Sequence, residues 1–376
     1  MAWVTAFAAS QCGNRMYRVK AGGRTFRTVV RLPFGGEKLR LTLASMYGTD
    51  LHIGSMSVTV CGKTGKVSVN GKNSFTVRKN ERVLTDEIML PVPDGAEVEI
   101  RTFFSKGFFQ SGLWQPTEYS VPGDFTDTAF VSSGDDLWVS SKRPFDIGMS
   151  LPAVAGIEVS SPAQDTQAIA VLGASNEFLG RWIKPLREKL AAADPHTALL
   201  DFSISGNRLM KDTGNKVLVG NLFGDRASKR FSEEILGFSG IKTVILSIGG
   251  NDIFQPHTFA CYPWEKVPDA SELRSSLEAL IAKAHMRGMK VIGTTITPGK
   301  KANGCSDDKL AVRNEVNEWM KGFDGYDALF DLASVIQSKE DPDVMEETYN
   351  SGDYIHFNAA GGQAIADAFP IKSLRG

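Results

Sequence analysis

The hydrophobic pattern changes its period partway along the chain, and this change constrains the fold more than any other feature. Up to about residue 150 the apolar residues come in short runs that often alternate: FRTVVRLPF, KLRLTLASM, GSMSVTVCG, GKVSVNG, NSFTVRK, AEVEIRTFF and DLWVSS. They are rich in β-branched and aromatic residues, and clusters of Gly, Asn, Asp and Pro separate them. Short strands at such spacing predict an antiparallel sandwich of jelly-roll type. From about residue 165 the pattern becomes strand alternating with helix. QAIAVLG, TALLDFSIS, KTVILSIGG, KVIGTTITP and DALFDLASVI read as five apolar strands. Between them lie stretches with helical spacing, and NAAGGQAIADAF closes the chain as a helix. Buried strands interleaved with helices predict a five-stranded parallel sheet covered on both faces. Pro185, early in LGRWIKPLREKLAAA, is expected to kink or delay that helix. The boundary is placed at residues 1–160 and 161–376, with the polar GIEVSSPAQDTQ as linker.

Composition narrows the partners. Charged residues make up 23% of the chain and the formal net charge is -1, so there is no electrostatic case for nucleic acid. No stretch approaches the roughly 20 apolar residues of a membrane helix. The start, MAWVTAFAASQCGNR, lacks a basic segment and a full apolar core. This predicts a cytoplasmic chain, or a secreted one from which a leader has been removed. The four cysteines, Cys12, Cys61, Cys261 and Cys305, are too sparse for a disulfide scaffold. Cys261 and Cys305 follow strands on one edge, so a pair between them stays open in a secreted protein. His257 with those two cysteines makes a poor ligand set, and no metal or cofactor is expected.

In open α/β sheets, ligands bind beyond the carboxyl ends of the strands. The chemistry-bearing residues lie there. GASN follows the first strand of the second half, SGNRL the second and GGND the third; NSGDYIHFN precedes the last helix. A serine hydrolase needs a hydroxyl, a base, an orienter for the base and donors for an oxyanion. Ser175 stands at a strand end and helix start. His356 lies in a loop, with Asp353 three residues before it. Gly206 can offer a backbone N–H and Asn251 a side-chain amide.

Taken in order, GAS at 173–175, SGN at 205–207, GGND at 249–252 and DYIH at 353–356 resemble the characteristic blocks of the SGNH (GDSL-like) hydrolase superfamily. Further segments, among them WVTAFAASQ, LPVPDGAEVEI and YNSGDYIHFNAAG, are similar to bacterial esterases of that superfamily with an N-terminal β domain. The resemblance implies a three-layer α/β/α, flavodoxin-like catalytic domain. It implies Ser175 as nucleophile, His356 as base and Asp353 as its orienter, with the N–H groups of Ser175 and Gly206 and the Asn251 side chain as oxyanion hole. The α/β-hydrolase alternative is rejected, because Glu177 stands where its G-x-S-x-G elbow needs glycine and its acid lies well upstream of the histidine. Two departures stand out. Ala174 replaces the family's aspartate, with Asn176 or Glu177 as candidates to compensate, and Phe357 replaces the proline that often follows the histidine.

The expected activity is removal of a small acyl group, acetyl on a carbohydrate or similar polyol, from a small-molecule or carbohydrate ester. A binding module of low activity and an acyltransferase using the same residues are the alternatives. Three other features carry two readings each. Arg208 contacts a polar substrate or pairs with an acid. The loop QPHTFACYPWEKVPDA walls the pocket or packs on the surface. Phe103, Phe104, Phe108, Phe109, Trp114 and Tyr119 stack on sugars or, as favoured, form core.

Overall fold

The structure, a computed structural model, describes residues 2–13, 22–108, 111–112, 117–127, 138–140, 153–163, 165–214, 216 and 220–374. It divides into two compact units, Met1–Gln167 with Pro195–Ala198, and Ala168–Asp194 with Leu199–Gly376.

The first unit is all-β. One sheet runs in the order Ala2–Ala8, Val154–Ser161, Leu39–Ala44, Arg82–Leu84, and a larger one is centred on Arg24–Arg31, Glu97–Phe104 and Leu51–Val60. The strand pairs within both sheets are antiparallel. From Leu39 to Leu43 buried and half-buried residues alternate, as in a strand with one face on a core. Phe26 meets Phe104 edge to face at 5.4 Å, and Phe104 lies 4.2 Å from Phe108. Phe104 and Phe108 are therefore core, as favoured; Phe109 and Trp114 lie outside the described residues.

The linker reading of GIEVSSPAQDTQ needs correction. Its first six residues belong to the strand Val154–Ser161, which is buried along its whole length between two neighbours. Its polarity misleads because the polar groups are paired inside. Glu158 takes the Arg40 guanidinium at 2.7 Å and the Thr5 hydroxyl at 3.5 Å.

The second unit carries the parallel sheet. Its elements in chain order are β1 (Gln167–Gly173), α1 (Ser175–Phe178), α2 (Ile183–Ala193), β2 (Thr197–Asp201), α3 (Ala227–Glu233), β3 (Ile241–Ser247), α4 (Gly250–Phe254), α5 (Ala270–His285), β4 (Lys290–Thr294), α6 (Asp307–Gly322), β5 (Ala328–Phe330), α7 (Leu332–Ile336) and α8 (Ala359–Ala368). The strand order is β2-β1-β3-β4-β5. The chain moves outward from β1 to β2 and then returns past β1 to β3. The loops leaving β1 and β3 thus diverge, and this is where an open α/β sheet holds its ligand. β1 is buried from Ala168 to Gly173, as expected for a strand covered on both faces.

Local chemistry explains the helix boundaries. Pro185 delays α2 rather than kinking it, since it falls in the first turn, where backbone N–H groups have no intrahelical partner. Asp269 caps α5 by accepting from Glu272 N–H at 3.0 Å, and Glu272 returns a bond to Asp269 N–H at 3.0 Å. DALFDLASVI, read as one strand, is a strand only to Phe330. Asp331 then caps α7 by accepting from Ser334 N–H at 3.3 Å, which turns an apolar run into a helix.

One core gathers Ile169, Val171, Trp182, Leu186, Ile245, Ile292, Phe357 and Ile365 from β1, α2, β3, β4, the loop before α8, and α8 itself. α8 comes close to the start of α2 because Gly362 lacks a side chain. A Cβ there would sit 2.2 Å from the carbonyl oxygen of Arg181. We expect Gly362→Ala to force α8 outward and to destabilise the second unit by about 1–3 kcal/mol, an overpacking cost read as a lowered denaturant midpoint.

Candidate active site

Ser175 is the first residue of α1, directly beyond the tip of β1, and only 8% exposed. His356 approaches from the loop before α8. Its Nε2 lies 2.7 Å from Ser175 Oγ and its Nδ1 2.6 Å from Asp353 Oδ2. An ionised carboxylate only accepts, so the Nδ1 proton points to Asp353 and Nε2 is left to accept from the serine hydroxyl. The three sequence-predicted residues therefore form one hydrogen-bonded chain.

A strained turn holds the acid and the histidine side by side. Tyr354, between them, has φ of 57°, a left-handed conformation that costs a bulky residue energy. Surrounding bonds hold it there: Tyr354 N–H donates to Asn350 Oδ1 at 2.9 Å and the Tyr354 hydroxyl to Glu347 at 2.8 Å. Asp353 Oδ1 accepts the N–H groups of Ile355 at 3.0 Å and His356 at 2.8 Å. Partial burial pushes the Asp353 carboxyl up, but the hydrogen bonds from His356 and the two backbone N–H groups outweigh it. The net result lies below the ordinary carboxylate range. Phe357 is wholly buried in the core cluster, and its carbonyl accepts from Arg181. The side chain that replaces the familiar proline thus anchors the histidine loop by packing.

The oxyanion candidates come from two neighbouring loops. Asn251, in the first turn of α4, lines the same cleft as Ser175. One proton of its amide goes to the carbonyl of Asn207 at 3.0 Å, which leaves the other free to point elsewhere. Gly206 has φ of 75°, and a Cβ on it would lie 2.3 Å from the Phe223 ring, so no other residue fits. Its carbonyl takes Gln255 Nε2 at 2.7 Å.

Buried polar groups that the sequence reading left unassigned hold these loops. Asn207 is fully buried; its amide bonds the carbonyls of Phe223 and Asp225 at 2.7 Å each, and its oxygen accepts from Arg230 at 2.8 Å. Asp252 accepts the N–H groups of Leu209 at 2.6 Å and Met210 at 3.0 Å. Burial pushes the Asp252 carboxyl up to about 6, against the pull of those bonds and of Arg208. Lys309 has no exposed surface and donates to the carbonyls of Phe254, Pro256 and Gly304 at 3.2, 2.6 and 2.6 Å. Glu177, two residues past the serine, is 3% exposed and surrounded by donors. Its burial raises its pKa despite those bonds. These residues carry no periodic signal, because each is paired with atoms distant in sequence.

Arg208 is buried and pairs with Glu265, the acid-pairing alternative. The loop after α4 does not line the cleft beyond Phe254, and its Phe259 and Trp264 are 70% and 76% exposed. Cys261 and Cys305 do not form a disulfide with each other. Among the described residues no group of three or more His, Cys, Asp or Glu is placed to hold a metal, and no helix is long and apolar enough to cross a membrane.

Residues 169–364 match the GDSL-like Lipase/Acylhydrolase family, just over half of the chain. No curated protein matches. Among solved structures, the chain is similar to the acetyl xylan esterase AlAXEase, with 19% identity over 54% of this chain and 96% of that one, at a TM-score of 0.40. A GDSL-like lipase from Bacteroides thetaiotaomicron is 14% identical over 56% of this chain and 89% of its own, at 0.41. TesA is 18% identical over 54% and 95%, at 0.38.

The depressed Asp353 carboxyl has a consequence for stability. An acid whose pKa falls on folding stabilises the fold above its unfolded value, near pH 4, and loses that contribution as pH falls through the folded one. We expect the denaturation midpoints of wild type and Asp353→Asn to differ at neutral pH and to converge as the pH is lowered below about 4.

Proposed function

We propose, from the premise that this chain belongs to the GDSL-like lipase/acylhydrolase family and is a carboxylic ester hydrolase, that it removes a small acyl group, acetyl, from a carbohydrate or similar polyol. The observation that carries the chemistry is the Asp353–His356–Ser175 hydrogen-bonded chain at a cleft beyond β1 and β3. In this reading Ser175 Oγ attacks the ester carbonyl while its proton passes to His356 Nε2, and Asp353 stabilises the imidazolium that forms. The carbonyl oxygen becomes an oxyanion that accepts from the N–H groups of Ser175 and Gly206 and from Asn251 Nδ2. As the C–O bond breaks, His356 returns the proton to the departing alkoxide, which leaves as the alcohol. Water then attacks the acyl-serine, giving its proton to His356. As the second tetrahedral intermediate collapses, His356 returns that proton to the departing Ser175 Oγ, releasing the carboxylic acid and restoring the free serine.

Two features support the choice of substrate. The acyl side of the cleft is bounded close to Ser175 by Ile248, Phe254 and Ile296, with Ser247 and Thr294 beside them, a mixed lining that suits a short acyl group. The rim around the histidine is polar and open, with Ser351, Gly352 and Asp353 exposed, which suits a hydroxyl-rich leaving alcohol.

The test is a series of p-nitrophenyl esters. Wild type is expected to turn over the acetyl ester best, with rates falling as the acyl chain lengthens. Ser175→Ala is expected to lower kcat/KM by about 10³-fold or more. An alanine variant as active as wild type would overturn the mechanism, and an octanoyl ester turned over as well as acetyl would overturn the small-acyl assignment. An added alcohol that captures the acyl group would mark a transferase.

A further inference from the structure

The nucleophile sits on an element that cannot support itself. α1 is a single turn of four residues, and a lone turn does not form on its own. Its N-cap, Ala174, has no side-chain oxygen with which to cap the first backbone N–H groups. Two side chains of the turn tie it down: Asn176 Nδ2 donates to the carbonyl of Ile355 at 3.3 Å, in the histidine loop, and the side chain of Glu177 folds back beneath the turn toward the sheet. Glu177 Oε2 accepts the Ala174 N–H at 2.8 Å, at the point where β1 ends. Oε1 accepts Trp182 Nε1 at 3.1 Å, at the entry to α2, and the Ser247 hydroxyl at 2.9 Å, at the end of β3. Ser247 in turn accepts from the Thr294 hydroxyl at 2.9 Å, at the end of β4. All three direct partners of the carboxylate are donors, and a buried carboxylate accepting three bonds is a satisfied one.

Gly173 shows how closely this arrangement is built. A Cβ at Gly173 would lie 2.5 Å from Glu177 Cγ and 2.6 Å from its Oε2. The glycine of the GAS block is thus small to admit the glutamate as well as to form the strand end.

We propose that Glu177 is the positioning residue of this active site: one buried carboxylate that fixes the Ser175 turn of β1 against the tip of β3. The residues that follow β3 carry Asn251, so the same contact sets the nucleophile against the oxyanion donor. It supplies from position 177 a hydrogen-bonding carboxylate beside the nucleophile, where Ala174 has none. The proposal rests on the hydrolase reading above, with Ser175 as nucleophile.

Glu177→Gln tests it. The amide keeps the volume but sets an NH₂ group against at least one donor. The expected result is a fall in kcat on p-nitrophenyl acetate of about 10- to 100-fold per active site, with KM within about two-fold of wild type. Sites are counted by complete labelling with diisopropyl fluorophosphate, and the labelling rate is expected to fall in step with kcat. Ser247→Ala keeps the carboxylate and its other two bonds but cuts the tie to β3, so it decides the matter should Glu177→Gln fail to fold. Its kcat is expected to fall in the same direction by a smaller factor. A variant with lowered stability but wild-type kcat per labelled site would overturn the positioning role and leave the hydrolase reading intact, as would a loss carried by KM alone. A wild type that neither turns over esters nor labels at Ser175 would overturn both.

Discussion

The hydrogen bond from Ser175 to His356 Nε2 joins residues 181 positions apart. Neither partner can hold the contact alone. One sits on a single helical turn and the other in a loop with a strained residue beside it, so both ends must be fixed to something rigid. The sheet is that rigid body. β1 delivers the serine at its carboxyl end. Phe357, sunk among Ile169, Val171 and Ile365, ties the histidine loop to the core beneath the sheet. The strain at Tyr354 is sustained because the bonds it donates to Asn350 and Glu347 over-determine the turn.

The edge of the sheet is organised by buried polar groups rather than by apolar packing. Glu177, Asp252, Asn207, Lys309 and Arg230 are all under 4% exposed, and each bonds backbone groups of a loop or turn. Such groups are costly to bury and become more so when any one bond is lost. That cost gives rigidity. An apolar loop can slide across its contacts, whereas a carbonyl facing Lys309 Nζ has one acceptable position. Loops held this way can meet the narrow tolerance that the proposed oxyanion role of Gly206 and Asn251 would demand.

Much of this was legible in advance, for identifiable reasons. The five parallel strands announced themselves because a strand covered on both faces is apolar throughout. The blocks at 173–175, 205–207, 249–252 and 353–356 pointed to one edge because each follows a strand or precedes the final helix. The first half of GIEVSSPAQDTQ reads as linker from its polarity but is strand, because Glu158 is paired within the fold and no sequence pattern shows that Arg40 would reach it. DALFDLASVI reads as one strand because a short apolar run has no period that separates strand from helix; the cap at Asp331 divides it.

Sequence alone determined the class of each half and the residues that could carry the chemistry, since both depend on local period and on position relative to strand ends. Tertiary structure alone decided how those residues are held. Whether Glu177 is a surface charge or the acceptor of three bonds beneath the serine depends on the ends of β1 and β3 and the start of α2 meeting around it. A hydrogen bond is specified by two partners at once, and these partners are brought together only when the sheet has formed.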